Sequence, residues 1–349
     1  MKRSNCHLLI FLAVVVVCRA SPIQAATKTL DIYFIDVEGG AATLIVTPLG
    51  ESLLVDSGFP GERDAGRIAQ VARDQAKLTQ IDHYITTHWH RDHVGGIPQL
   101  SKLIPVKHYY DHGLPAVLGP DLQPEFIDAY RQTVMGKSVT LKPGDLLGMQ
   151  PSPKALPPLQ VRVLASDGVL LGEKPGAPQI KPCGPDFKPQ PEDKTDNVNS
   201  IAILLTFGRF KFFDGGDISW NIEDRLVCPR NLIGAIDVYQ VDHHGADSSN
   251  NPTIVRALKP RVAIIDSGPR KGAEVNTFAT LKSVKEIEAI YQIHRNVRTT
   301  EKDNAPPDFV ANDDEDCKGE FIKVSVAPDG KSYTVAIPAK KISRNYRTR

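Results

Sequence analysis

Within six residues the chain places His88, His90, Asp92 and His93, in the run Thr87-His88-Trp89-His90-Arg91-Asp92-His93-Val94-Gly95-Gly96 that follows the strand-like segment 81–86. Nothing else in the sequence constrains the fold as much. Four such side chains left to themselves would repel one another on protonation of the imidazoles and would lose solvation on burial. A metal ion removes both costs, because it takes the nitrogen lone pairs and supplies positive charge for the carboxylate. His88 and His90 stand two apart, so an extended backbone points both to one side. Asp92 and His93 follow where the chain turns and are expected to face a second point close to the first. Gly95-Gly96 then permits a tight turn into a helix over 94–103.

Two later runs carry ligand-type residues directly after apolar segments: Phe212-Phe213-Asp214-Gly215-Gly216-Asp217 and Val241-Asp242-His243-His244-Gly245-Ala246. The opening runs Leu30-Asp31-Ile32-Tyr33-Phe34-Ile35-Asp36-Val37-Glu38-Gly39-Gly40 and Ser52-Leu53-Leu54-Val55-Asp56-Ser57-Gly58 read as strands ending in turns. On these motifs the chain resembles the metallo-β-lactamase superfamily over residues 30–267. Within it, the likeness is to the hydrolase domain of ComEC-type DNA-uptake proteins and their stand-alone relatives.

The resemblance implies an α/β fold, a four-layer αββα sandwich. It implies a metal site of His88, His90, Asp92, His93, Asp217 and His244, with Asp217 bridging two ions. The implied cofactor is Zn²⁺, one or two ions, with Mn²⁺ or Fe as alternatives. Asp92 and His243 are the implied catalytic residues, His243 facing the substrate as oxyanion donor or proton shuttle. The reverse order of His243 and His244 stays open. Asp214 reads as a turn residue, and Asp56 either orients a ligand imidazole or serves turn chemistry. Two departures stand out. The histidine that many relatives carry before the bridging aspartate is missing; Asp196 falls near its place and His112 is the other candidate. The Gly-Gln-Gly-Asp of the ComEC-type opening is replaced by Glu38-Gly39-Gly40-Ala41, and the uptake proteins' membrane segments are absent.

In chain order, residues 1–25 read as a secretory signal peptide: Lys2 and Arg3, an apolar core over 8–17, and Ile23-Gln24-Ala25 before Ala26. A periplasmic or secreted destination follows, and lipidation at Cys18 is disfavoured because Val17 precedes it. Cleavage removes Lys2, Arg3 and Arg19 and no acid, so 42 Lys and Arg become 39 against 41 Asp and Glu. A near-neutral chain has no global field to gather a polyanion, so nucleic acid is a possible substrate without a basic footprint. Cys183, Cys228 and Cys317 remain, an odd number, so one disulfide at most forms within the chain.

One hydrolase domain is expected over 26–338, with helices outside two sheets. Helical spacing runs over 64–76 with Asp64 as cap, and again over 281–291. Strands are expected at 81–86, 106–110, 161–165, 237–242 and 261–266, with hairpins at 200–206/210–213 and 321–326/333–337. The proline-rich stretch 150–195 reads as an insertion, either a lid or an excursion without a role. Residues 339–349 read as a basic, mobile tail. Two substrate classes compete: phosphodiesters or phosphate esters, and lactams, lactones or related cyclic carbonyl compounds. A non-catalytic binding protein would be expected to have lost ligand residues that this chain keeps.

Overall fold

Apolar residues that alternate with period two decide the layering. The computed structural model describes residues 28–178 and 187–349, so the signal-peptide reading and Cys183 lie outside the described residues. Leu30–Phe34 (β1), Thr43–Val46 (β2) and Ser52–Val55 (β3) form an antiparallel meander. Glu62–Gln70 (α1) leads to Ile81–Ile85 (β4), Arg91–Val94 (α2), Ile97–Leu103 (α3), Val106–Asp111 (β5), Pro124–Val134 (α4) and Ser138–Thr140 (β6). The second sheet takes Leu159–Ser166 (β7), Val169–Leu170 (β8), Ala202–Phe207 (β9) and Phe210–Asp214 (β10). After Trp220–Val227 (α5) come Val238–Gln240 (β11), Pro252–Leu258 (α6), Val262–Ile265 (β12), Val275–Ser283 (α7), Ala289–His294 (β13) and Val310–Asn312 (β14). Ile322–Val326 (β15), Ser332–Ile337 (β16) and Ile342–Arg347 (β17) return to the first sheet beside β1.

The first sheet runs β17-β16-β15-β1-β2-β3-β4-β5-β6 and the second β14-β13-β12-β11-β10-β9-β7-β8. Phe34, Ile203, Phe210, Phe212, Ile264 and Val324 fill the space between the sheets. Their strand neighbours point the other way. Tyr84 lies under α1, α3 and α4 with Ile68, Leu100 and Ile127, and Phe213 and Tyr239 lie under α5, α6 and α7 with Ile222, Ile254 and Leu281. The result is the expected four-layer αββα sandwich. Among the described residues no helix is long and apolar enough to cross a membrane.

Several local expectations are corrected. The span 281–291 is not one helix: α7 ends at Ser283 and β13 begins at Ala289. Leu281 and Val284 have helical spacing, but Ala289, Tyr291 and Ile293 alternate into the inter-sheet core and pair in parallel with β12. The basic end is no mobile tail. β17 pairs with β16 along its length, and Tyr346 stacks on Tyr333 at a ring separation of 5.3 Å, while Ser343, Asn345 and Arg347 face outward. Gly61, and not Asp64, precedes α1. Asp64 sits inside the first turn, where its Oδ2 accepts the Phe59 N–H at 2.7 Å. The proline-rich stretch is irregular only in part, since β7 is paired with β9 across most of its length.

Candidate metal centre

The parallel strands of both sheets release their chains toward one end, where the candidate ligands gather. The loop after β4 carries His88 and His90, and α2 carries Asp92 and His93. Asp217 follows β10, while His243 and His244 follow β11, parallel to β10. Clefts outside the carboxyl ends of parallel strands are the ordinary ligand positions of α/β sheets. The Gly95-Gly96 pair forms the expected turn, between α2 and α3, and is a packing requirement as well. Both residues are helical in φ and ψ, and a Cβ on Gly96 would stand 2.0 Å from the Ser57 carbonyl oxygen.

Two groups of ligand atoms form, each with all members within 4.8 Å of one another: His88, His90 and Asp217, and Asp92, His93, Asp217 and His244. Asp217 belongs to both. Its Oδ2 lies 3.8 Å from His88 Nε2, 3.2 Å from His93 Nε2 and 3.4 Å from His244 Nε2. All six sequence-derived ligand candidates are thus brought together, and the spacing argument that split His88/His90 from Asp92/His93 matches the two groups.

Each imidazole has one nitrogen beside an oxygen, hydrogen-bonded in all but His244, leaving the other aimed inward. His93 Nδ1 donates to Asp56 Oδ2 at 2.7 Å. Thr87 Oγ1 donates to the same carboxylate at 2.7 Å and lies 3.1 Å from His88 Nδ1. His90 Nε2 donates to Asp121 Oδ2 at 2.8 Å. Asp266 Oδ2 stands 3.4 Å from His244 Nδ1, within ion-pair range but without a hydrogen bond. The inward nitrogens then face each other: His88 Nε2 to His90 Nδ1 at 3.0 Å and His93 Nε2 to His244 Nε2 at 3.2 Å. Nitrogens so opposed need a shared proton or a metal ion between them, and with Asp92 and Asp217 alongside the donor set fits one or two divalent ions.

Sequence reading found Asp56 but missed Asp121 and Asp266. Asp266 did leave a signal, since Ile264-Ile265-Asp266-Ser267-Gly268 repeats the pattern of Leu54-Val55-Asp56-Ser57-Gly58 at a strand end of the other sheet. Asp121 left none, because it sits in an irregular loop 31 residues from His90. Its loss is testable. Asp121→Asn is expected to weaken metal binding by about 10–100-fold, the usual effect of removing a carboxylate that orients a ligand histidine. Competition against a chromogenic chelator measures this, and unchanged affinity would exclude His90 as an oriented ligand.

The electrostatics of the centre are those of a cation receptor. Burial disfavours charge on His88 and, with repulsion from His93, holds it well below the ordinary histidine range. Burial also opposes ionisation of Asp92 and Asp217. At Asp92 the His93 and His244 imidazoles and Lys271 together outweigh it, and at Asp217 the His244, His93 and His243 imidazoles together do so, holding both carboxyls well below their usual range. Asp214 is the contrast. Burial pushes it up to about 7, and its Oδ1 accepts the Gly216 N–H at 3.0 Å in the expected turn.

Backbone conformation separates the paired histidines. His243 and His244 both have positive φ, at 52° and 53°. That conformation costs about 1–3 kcal/mol for each non-glycine residue, so the surroundings must enforce it. His243 N–H donates to the Gly216 carbonyl at 2.9 Å, and Ala273 N–H donates to the His244 carbonyl at 2.9 Å. A Cβ on Gly272 would meet that same carbonyl at 2.1 Å. Glu223 on α5 accepts the Asn250 and Asn251 N–H groups, and Asn250 Nδ2 donates to the Asp242 carbonyl at 2.9 Å. His244 is therefore buried against Asp92 and Asp217. His243 keeps a fifth of its side chain exposed, with Nε2 3.5 Å from Asp217 Oδ2 and Nδ1 beside the Ser248 and Ser249 hydroxyls.

Neither candidate for the missing histidine joins the ligand groups. Asp196 Oδ2 accepts the Trp89 N–H at 2.7 Å and lies 3.2 Å from His112 Nε2, so these two residues satisfy each other. Asp196 N–H in turn donates to Asp121, which braces the loop between His88 and His90 from behind. A third ligand-type group, Asp36, His294 and Cys317, lies apart. Asp36 is fully used there: Oδ1 accepts from His294 Nε2 and Glu38 N–H, and Oδ2 from Arg67 and the Cys317 thiol. The Arg67 guanidinium already supplies the positive charge, so this group ties the β1–β2 loop to α1 and β13.

Residues 35–178 match the family described as the metallo-beta-lactamase superfamily. The chain is 36% identical over 75 residues to Recombination protein 2 of Haemophilus influenzae, covering 22% of this chain and 9% of that protein. It is 38% identical over 66 residues to the atrochrysone carboxyl ACP thioesterase of Aspergillus terreus, covering 19% and 20%. The matched segments are thus a small part of either relative. A metallo hydrolase from Ignicoccus hospitalis is similar over 75% of this chain and 94% of its own, at 11% identity and a TM-score of 0.41. Residues 35–178 thus carry a metallo-beta-lactamase superfamily domain, and the two-sheet α/β fold and the paired ligand groups accord with it.

Proposed function

We propose that this chain is an exported metal-dependent hydrolase of phosphodiester or phosphate-ester bonds. The observation that carries the reading is the single carboxylate, Asp217, shared by two ligand groups. When bound, a pair of divalent ions lowers the pKa of coordinated water to about 7 and clamps the attacking and leaving oxygens of an in-line displacement. The chain's own residues hold that arrangement in place. Asp56, Thr87 and Asp121 fix which imidazole nitrogen faces inward, and burial keeps bulk water from Asp217. His243 Nε2 stands at the open side of the centre, where it can donate to an oxygen that gains charge in the transition state.

Hydrolysis of a thioester or cyclic carbonyl compound is the second reading, favoured by the segment shared with the Aspergillus terreus thioesterase. Mature protein loaded with Zn²⁺ or Mn²⁺ should be assayed on bis-p-nitrophenyl phosphate, an acyl thioester and a chromogenic cephalosporin. Turnover of the phosphodiester alone, abolished by a chelator and restored by metal, is the expected result. Turnover of only the thioester or the cephalosporin would reverse the order of the two readings. Export is supported by residues 1–25 and by Cys228 being disulfide-bonded, as suits an oxidising compartment. Mass spectrometry of the secreted or periplasmic protein should find an N-terminus near Ala26, and an intact Met1 there would count against it.

A further inference from the structure

Resting on the phosphodiester reading, we infer that Arg91, Phe59 and Lys271 form a subsite for a second, flanking phosphate of the substrate. Arg91 stands between the candidate ligands His90 and Asp92, so its backbone is fixed by the centre itself. Its side chain is exposed and, among the described residues, has no hydrogen bond or ion pair. Its one partner is the Phe59 ring, 5.6 Å from the guanidinium carbon. Lys271 Nζ lies 5.8 Å from the same ring and pairs with Asp92. Phe59 is therefore flanked by two cations at the mouth of the centre.

Two clefts meet at Arg91. One, of about 180 Å³, is lined by His90, Asp92 and Asp121 among others, and the other, of about 470 Å³, by Phe59, Pro60, Arg63 and Glu38. Glu38 does not quench Arg91, because Arg63 and Arg67 hold it at 2.6 and 3.1 Å; Glu62 is the other acid in the wider cleft. A guanidinium laid against an aromatic ring is weakly hydrated and presents a planar fork that matches two phosphate oxygens. Because the ring already restrains that fork, binding orders little further. A chain with near-balanced charge gathers no polyanion by its overall field, so recognition of a flanking phosphate falls to local cations such as these.

The test uses metal-loaded mature protein, wild type and Arg91→Gln, with metal content measured in both. The substrates are the thymidine dinucleotides TpT and pTpT, which differ by one terminal phosphate. Binding of thymidine 3′,5′-bisphosphate and thymidine 3′-monophosphate is followed in parallel by calorimetry. Wild type is expected to favour pTpT in KM, and the bisphosphate in Kd, by about 10-fold, the scale of one charge-assisted contact. Arg91→Gln should erase both preferences, and Arg91→Lys should restore part of them. Preferences that survive in Arg91→Gln, or that wild type never shows, would overturn the subsite while leaving diester cleavage standing. Arg91-dependent bisphosphate binding without cleavage of any diester would keep the subsite and remove the phosphodiester reading.

Discussion

Asp217→Ala is expected to deplete both ligand groups of metal and to lower turnover by about 10⁴-fold, the scale found when one member of a catalytic unit is removed. Asp217 Oδ2 is the only ligand atom among the described residues common to both groups, and it lies within 3.8 Å of Nε2 on His88, His93, His243 and His244. Without it, His88 and His90 have no carboxylate in their ligand group and only Asp92 remains beside His93 and His244, so a divalent ion loses much of the charge that offsets its desolvation. Elemental analysis should show both equivalents lost or severely reduced, with circular dichroism confirming that the two sheets persist. Asp217→Asn keeps the shape and removes the charge, so it should bind metal more weakly than wild type and more tightly than the alanine variant. Full metal content in Asp217→Ala would sink the shared-ligand assignment.

The paired histidines should fail in different ways. His244→Ala removes a buried imidazole that faces Asp92 and His93, so metal occupancy and turnover should fall together. His243→Ala removes a partly exposed donor whose Nδ1 rests on serine hydroxyls, so metal should stay while kcat falls by about 10²–10³-fold, the usual loss for one oxyanion donor. Metal analysis beside single-turnover kinetics separates the two. Metal lost from His243→Ala and kept in His244→Ala would invert their roles. Metal kept in both would remove this loop from the centre altogether.

Local chemistry carried much of this protein in its sequence. Four ligand-type residues in six positions mark a candidate cation site, and the two-residue spacing of His88 and His90 sets them apart from Asp92 and His93. Alternating strands such as 210–213 announced two faces, and a protein face must be covered, so the sandwich with outer helices followed. Asp56 was legible for the same reason, because it ends an apolar strand beside Gly58.

Tertiary structure alone decided the rest. Whether 289–294 coils or extends depends on a parallel neighbour, β12, that no local spacing reveals. The basic end became a strand because β16 offered an open edge and Tyr333 a ring for Tyr346, contacts absent from the tail's own composition. Asp121 reaches His90, and Lys271 reaches Asp92, across 31 and 179 residues, and loop closure over such distances leaves no periodic trace. The different exposure of His243 and His244 follows from two successive left-handed residues that Gly216, Ala273 and Asn250 hold in place. A sequence names adjacent histidines as equals, and only the surrounding hydrogen bonds choose which one is buried and which one faces solvent.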